Sequence, residues 1–180
     1  MSTSTEVNIP GYAAGTWVID TAHSGVSFQA RQFGIGKAHG TFDDFEGTIV
    51  TAENPLDSSV TAVIKTASVN TRNRRRDKHL RTDDFLSVEQ YPTMTFTSTG
   101  VRVDGETFLL DGDLTIRTVT KQVTLTVVPN GFGADDKPLA GFTASTEIDR
   151  KDFGVTGGVS GAVVGAKITI TLEIKASQQD

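Results

Sequence analysis

Cysteine is absent from this chain of 180 residues, and tryptophan occurs once. The first absence excludes disulfide bonds, thiolate nucleophiles and cysteine-ligated metal sites. No segment approaches the roughly 20 consecutive apolar residues that a helix needs to cross a bilayer. Residues 1–15 show neither a basic start nor the apolar run of a secretory signal. These absences predict a cytoplasmic protein without stable membrane insertion.

The charge balance favours neither sign strongly. Lys and Arg total 17 against 22 acidic residues, a net charge of −5, which disfavours general attraction to nucleic acids. Hydrophobic residues make up 37% of the chain, enough for a packed interior. Because no change in composition divides the sequence, we predict one domain over residues 16–176. It would lie between a flexible N-terminal segment, 1–15, and a C-terminal tail, 177–180.

Alternating side chains dominate the sequence from about Trp17 onward. Apolar residues alternate with Thr, Ser or charged residues, a period typical of strands that bury one face. Turn signals at 53–58, 103–106 and 130–138, including Asn130-Gly131, predict antiparallel hairpins. About eight such strands can close into a barrel. A two-sheet sandwich is the alternative, because it too buries one face of every strand.

Two segments interrupt this pattern. Residues 71–82 contain good helix formers and predict a short helix, which Asn70 or Thr71 could cap. The stretch 154–165 contains five glycines, which predicts a mobile loop able to gate a barrel mouth.

Several ordered motifs between Trp17 and Glu173 are similar to those of the YceI-like family of lipocalin-like, polyisoprenoid-binding proteins. They are Ile19-Asp20, His23-Ser24, Phe28, Gly40, Phe42, Phe45, Gly47, Ile49, Ser68-Val69, Thr71, Arg76-Asp77, His79-Leu80, Asp84-Phe85, Tyr91-Pro92, Phe96, Ser98, Gly112 to Ile116, Thr120-Lys121, Arg150 and Asp152 to Gly154. The sequence departs from the family pattern at Gln32, Thr118 and Ala166, and none of these changes affects the apolar alternation.

The resemblance implies an all-β protein, an antiparallel eight-stranded lipocalin-like barrel. It also implies non-enzymatic binding, transport or storage of a long-chain polyisoprenoid, such as a polyprenyl phosphate or a quinone-type tail. The bound lipid is then the expected ligand, no further cofactor is expected, and a homodimer is one expected assembly. A stress-related scavenger of amphiphilic compounds or fatty acids is the alternative. An enzyme acting on an isoprenoid lipid is a third.

The residues expected to line the lipid site are the apolar members of the inward-facing sets: Phe28, Ala30, Phe42, Ile49, Ala62, Ile64, Phe96, Leu110, Leu114, Leu125, Phe142, Ala144, Ile170 and Leu172. Small residues among them and at Gly112 could leave a lane for a slender chain. Burial of about 40 prenyl carbons at about 0.8 kcal/mol each would nominally release some 30 kcal/mol. Affinities saturate near 20 kcal/mol, so ordering of the tail must offset much of this energy.

One basic cluster stands out in the acidic chain. Arg72, Arg74, Arg75, Arg76, Lys78 and Arg81 surround Asp77. Arginine forks suit phosphate groups, and we predict a head-group contact at Arg76 and His79. The competing interpretation is a solvated face partly neutralised by Asp83 and Asp84.

Catalytic and metal-binding motifs are weak. His23, His39 and His79 lack the spacing of a zinc motif, so we predict no metal site. His23 and Ser24 are adjacent on a predicted strand, where their side chains would point to opposite faces. No Gly-x-Ser-x-Gly or phosphate-loop sequence occurs. We therefore predict no catalytic residues.

Overall fold

A computed structural model describes residues 9–32, 36–162 and 164–179. Its regular elements, in chain order, are β1 (Gly15–Ile19), β2 (Gly25–Gln32), β3 (Gly36–Phe42), β4 (Phe45–Thr51), β5 (Ser59–Lys65), β6 (Val69–Asn70), α1 (Arg74–Leu80), β7 (Thr93–Asp104), β8 (Thr107–Ile116), β9 (Val119–Ala134), β10 (Pro138–Asp149) and β11 (Val164–Gln178). Single 3-10 turns lie at Pro55–Asp57, Thr66–Ser68, Arg150–Phe153 and Gly158–Ala162. Within these ranges no helix is long and apolar enough to cross a membrane.

The strands form a closed antiparallel barrel of eight strands, as predicted. β1 with β2, and β3 with β4, are the two halves of interrupted strands, and β6 is a two-residue addition at the side. β11 closes the barrel because it pairs with β10 along one edge and with both β1 and β2 along the other. A sandwich would leave this seam unpaired, so the alternative is wrong.

The break between β1 and β2 has a local cause. The Asp20 carboxylate accepts a hydrogen bond from the Ala22 amide at 3.0 Å and pairs with His23 at 2.8 Å, which turns the chain out of the strand. Ser24 takes the place of the missing strand pairing with β11, since its hydroxyl donates to the Lys175 carbonyl and accepts from the Lys175 amide. His23 and Ser24 therefore make separate contacts, although they lie in the turn before β2 rather than on a strand as predicted.

Both ends of the predicted helix differ from those in the structure. The helix occupies Arg74–Leu80 rather than 71–82, and Asn73 caps it by accepting a hydrogen bond from the Arg76 amide at 3.0 Å. Thr71 cannot cap, because its hydroxyl and amide both donate to the buried Asp77 carboxylate.

The hairpin predicted at 130–138 turns later than Asn130-Gly131. β9 continues through Ala134, and its register with β10 shifts beside Asn130, which is the signature of a bulge. The chain reverses at 135–137, where the Asp135 amide donates to the Lys137 carbonyl.

The described parts of both terminal segments contact the barrel. Tyr12, within the segment predicted to be flexible, donates a hydrogen bond to the Ala52 carbonyl and packs against Phe132. Residues 1–8 of that predicted segment lie outside the described residues. At the other terminus β11 extends to Gln178, two residues into the predicted tail.

Candidate ligand-binding site

The barrel encloses a cavity of about 650 Å³. Its wall comes from the inward faces of the strands, because every second residue of a strand points to the same side. Leu110, Leu114 and Ile116 on β8 and Ala144 and Ile148 on β10 are examples of buried residues in this wall. The volume lies within the usual range for small-molecule sites, about 300–1,000 Å³.

Every residue predicted to contact the lipid tail lines this cavity: Phe28, Ala30, Phe42, Ile49, Ala62, Ile64, Phe96, Leu110, Leu114, Leu125, Phe142, Ala144, Ile170 and Leu172. The period of two therefore identifies the inward face of each strand. Whether these side chains bind a lipid stays a prediction.

The lane of small residues differs from the predicted one at Gly112. A Cβ atom there would lie 2.3 Å from the Phe96 ring, so the space beside this glycine is already filled by an aromatic side chain. Gly40 and Phe28 form a second such pair, at 2.4 Å. Ala30, Ala62 and Ala144 line the cavity directly. The two glycines thus make room for aromatic rings in the barrel wall. The small side chains of the three alanines leave space in the cavity itself.

One end of the barrel, the aromatic end, is closed by rings. Phe132 is central, with its ring centroid 5.2 Å from Tyr12, 5.6 Å from Trp17 and 5.8 Å from Phe142, each pair edge to face. Trp17 is only 1% exposed and donates to the Thr51 hydroxyl at 2.7 Å. Ile9 and Tyr12 also line the cavity. Sequence reasoning missed them, because they precede the first alternating run.

The opposite end, the helix end, is covered by residues from α1, from the segment that follows α1 and from the glycine-rich loop. Leu80, Phe85, Leu86 and Val155 line the cavity there. The loop is held to the α1 segment by the Gly157 amide, which donates to the Asp84 carbonyl at 2.8 Å.

Arg150 anchors the same loop. Arg150 is only 5% exposed, and its guanidinium donates to the carbonyls of Val155, Gly161, Val164 and Gly165 at 2.8–3.2 Å. The loop predicted to be mobile is thus tied at several points. Sequence reasoning quoted Arg150 as a motif residue without assigning it this role.

The two predicted head-group residues both line the cavity but differ in their partners. His79 contacts the Asp84 carboxylate at 2.8 Å and packs against Phe85. Arg76 donates from Nε and Nη2 to the Thr71 hydroxyl and carbonyl, at 2.8 and 2.9 Å. Because His79 already has an anionic partner, Arg76 is the better placed of the two for an external anion.

The structure spreads the other cations of the basic cluster apart. Arg81 donates to the carbonyls of Ala67 and Val69, so it holds α1 against β6. Arg74 and Lys78 are exposed, while Arg75 reaches the cavity. The cluster is therefore not one continuous binding face.

The histidines are also separated. His23 lies in the turn between β1 and β2, His39 on the outer side of β3, and His79 on α1. Across residues 9–32, 36–162 and 164–179, no group of three potential metal ligands comes together.

A closed barrel with an apolar interior and polar groups at one end defines a ligand-binding barrel as the class of protein. The family model for the YceI-like domain matches residues 17–176. The chain therefore belongs to the YceI-like family.

Individual relatives agree with this assignment. Protein YceI of Escherichia coli is 41% identical over 154 residues, covering 84% of this chain and 81% of its own. The crystal structure of a Campylobacter jejuni YceI protein is 31% identical, with a TM-score of 0.73, over 79% of this chain and 86% of that one. A polyisoprenoid-binding domain from Saccharophagus degradans, 19% identical, has the same fold, with a TM-score of 0.67 over 93% and 100%.

Proposed function

We propose that this protein binds the apolar tail of an isoprenoid lipid inside the barrel and acts as a non-enzymatic carrier or store. The observation that carries this proposal is the cavity of about 650 Å³ that runs between the aromatic end and the helix end with a largely apolar wall. Membership of the YceI-like family supports a binding role. The polyisoprenoid-binding neighbour from Saccharophagus degradans supports the lipid class.

The cavity has room for a substantial length of tail. At about 30 Å³ per non-hydrogen atom, a volume of about 650 Å³ accommodates at least about 20 such atoms, or about four prenyl units.

The hydrophobic energy is sufficient for a tail of this minimum length. About 20 carbons at about 0.8 kcal/mol each nominally contribute some 16 kcal/mol. Binding restricts the conformations of the tail and the translation and rotation of the whole lipid, and this loss of entropy offsets part of the gain. What remains after those costs is enough for binding without strong recognition of the head group.

Extraction of bound lipid is the first test. Protein purified without detergent would be denatured with organic solvent and the extract analysed by mass spectrometry. We expect an isoprenoid in molar proportion to the protein. An extract without lipid, together with no binding of added geranylgeraniol, would contradict the proposal.

A cavity-filling variant is the second test. Ala144 lines the cavity at 7% exposure, whereas its neighbour Ser145 is exposed on the outer face of β10. Ala144→Leu should weaken geranylgeraniol binding about tenfold or more by occupying tail space, and Ser145→Leu should leave it unchanged. Equal affinities in both variants would indicate that the tail does not pass Ala144.

Competition separates an isoprenoid carrier from a scavenger. Oleic acid has a similar apolar volume but a regular, unbranched chain. If oleic acid displaced geranylgeraniol at equal concentration, the isoprenoid part of the proposal would fail and the broader role in binding amphiphiles would replace it.

A further inference from the structure

A second concave site lies outside the barrel, beside β3. This lateral groove has a volume of about 730 Å³. Its floor is the outer face of β2, β3 and β11, and its wall is the segment 70–76 that leads into α1. The proposed function uses only the cavity, which leaves this groove without a role.

The groove and the cavity share part of their lining beside β3. Among the described strands, β6 reaches only Thr41 and Phe42 of β3, so the remainder of that edge has no strand beside it. Ser27, Phe28, Ala38, Thr71 and Arg76 line both the groove and the cavity. An amphiphile could therefore place its tail inside the barrel and its polar end in the groove.

Cations dominate the groove although the whole chain is acidic. Lys37, Arg72 and Arg76 line it together with His39, against the single carboxylate of Asp43. Asp43 accepts hydrogen bonds from Asn70 at 2.9 Å and Thr41 at 2.7 Å, which lower its pKa and keep it ionised. The groove thus carries three permanent positive charges and one negative charge.

The surrounding structure orients the guanidinium of Arg76 and constrains the backbone of Arg72. Arg72 has a φ of 61°, a conformation uncommon for residues other than glycine, and its amide donates to Asn70 Oδ1 at 3.0 Å. The guanidinium of Arg76 is oriented by Thr71, which is itself held by Asp77. Two of the five N–H groups of Arg76 are used in these bonds, which leaves three for a ligand.

We infer that the lateral groove binds a phosphate or diphosphate monoester through Lys37, Arg72 and Arg76. Three cations around one space, with the guanidinium of Arg76 already oriented by Thr71, suit a group with several anionic oxygens better than a single carboxylate or a neutral quinone ring. The inference rests on the proposed function for the position of the tail. It moves the expected head group from the helix end near His79 to the side of the barrel.

The test compares geranylgeranyl phosphate with geranylgeraniol, which have the same tail. We expect the wild-type protein to bind the phosphate at least about tenfold more tightly, since hydrogen bonds between charged groups contribute that much. Lys37→Gln combined with Arg72→Asn should abolish this preference and leave the affinity for the alcohol unchanged. Asparagine is chosen at position 72 because it tolerates positive φ.

Arg74→Gln combined with Lys78→Gln is the matched control. It removes the same charge from exposed positions that line neither the groove nor the cavity. The control should keep the phosphate preference. The inference is overturned if both double variants lose the preference equally, or if neither does.

Binding of pyrophosphate, which has no apolar tail, tests the groove by itself. Compared with binding of geranylgeraniol, it shows whether the groove assignment or the tail site fails. The wild-type protein should bind pyrophosphate in low salt, and the Lys37→Gln, Arg72→Asn variant should not. If geranylgeraniol binds and pyrophosphate does not, the groove assignment fails while the tail site stands. If pyrophosphate binds through Lys37 and Arg72 and geranylgeraniol does not, the tail site fails.

Discussion

At the aromatic end of the barrel, rings from Tyr12, Trp17 and Phe132 pack edge to face, and Trp17 is almost wholly buried. At the helix end, closure depends on backbone carbonyls that accept hydrogen bonds from Arg150 and on the contact between Gly157 and Asp84. Apolar burial is insensitive to small shifts, whereas a hydrogen-bonded loop can be released by breaking a few directional contacts. We therefore expect ligand exchange to involve the helix end and the adjoining lateral groove.

The largest expected effect is on the aromatic end. Trp17→Ala should destabilise the protein by about 3–5 kcal/mol, because it leaves a cavity among the rings. Urea unfolding would measure the change. Val18→Ala is the control, since Val18 is 40% exposed and its truncation should cost less than about 0.5 kcal/mol. Similar losses in the two variants would mean that the rings do not stabilise this end.

The next effect concerns the helix end. Arg150→Met should lower the free energy of unfolding by about 2–4 kcal/mol, because the carbonyls that accept hydrogen bonds from the guanidinium lose their partner. Hydrogen–deuterium exchange should become faster across residues 155–165, while amides of β1 near Trp17 change little.

Lys151→Met is the control for that experiment, since Lys151 is exposed and neighbours Arg150 in the same 3-10 turn. It should leave exchange unchanged. Uniformly faster exchange in Arg150→Met would indicate that Arg150 stabilises the whole barrel rather than its loop.

The smallest effect concerns acid stability of the outer wall. Two hydrogen bonds from Arg102, at 2.7 and 2.8 Å, and one from Thr124 lower the pKa of Asp111 to about 2. Because the folded pKa lies below the ordinary 3.8, this carboxylate stabilises the fold above about pH 4. The contribution is lost as pH falls toward 2.

Asp111→Asn should therefore flatten the pH dependence of unfolding between about pH 4 and 2, as measured by urea titration at several pH values. Asp113→Asn is the control, because Asp113 is an exposed residue on the same strand. An unchanged slope in Asp111→Asn would show that other carboxylates dominate acid unfolding.

Much of the fold could be predicted from the sequence because its signal is local. Alternation along each strand identified the inward residues, including Ala30, Ala62 and Ala144, and every predicted tail residue lines the cavity. The misplaced turn depends instead on the pairing between two strands. Asn130-Gly131 is typical of a turn, yet the register between β9 and β10 makes it a bulge.

The predicted head-group site illustrates the same limit. Arg76 and His79 are three residues apart, so the sequence suggested that they act together. In the structure His79 is paired with Asp84, whereas Arg76 faces the lateral groove beside Lys37 and Arg72. Lys37 is far from Arg72 in the chain, and no local pattern connects them.

Residue alternation was enough to predict which face of each strand is apolar, and the motifs indicated the YceI-like family. The size of the cavity, the closure of its two ends and the gap beside β3 became visible only in the folded chain. The physical reason is that side-chain alternation is set by the geometry of each strand. Volumes, seams and grooves arise instead where strands and loops distant in sequence meet.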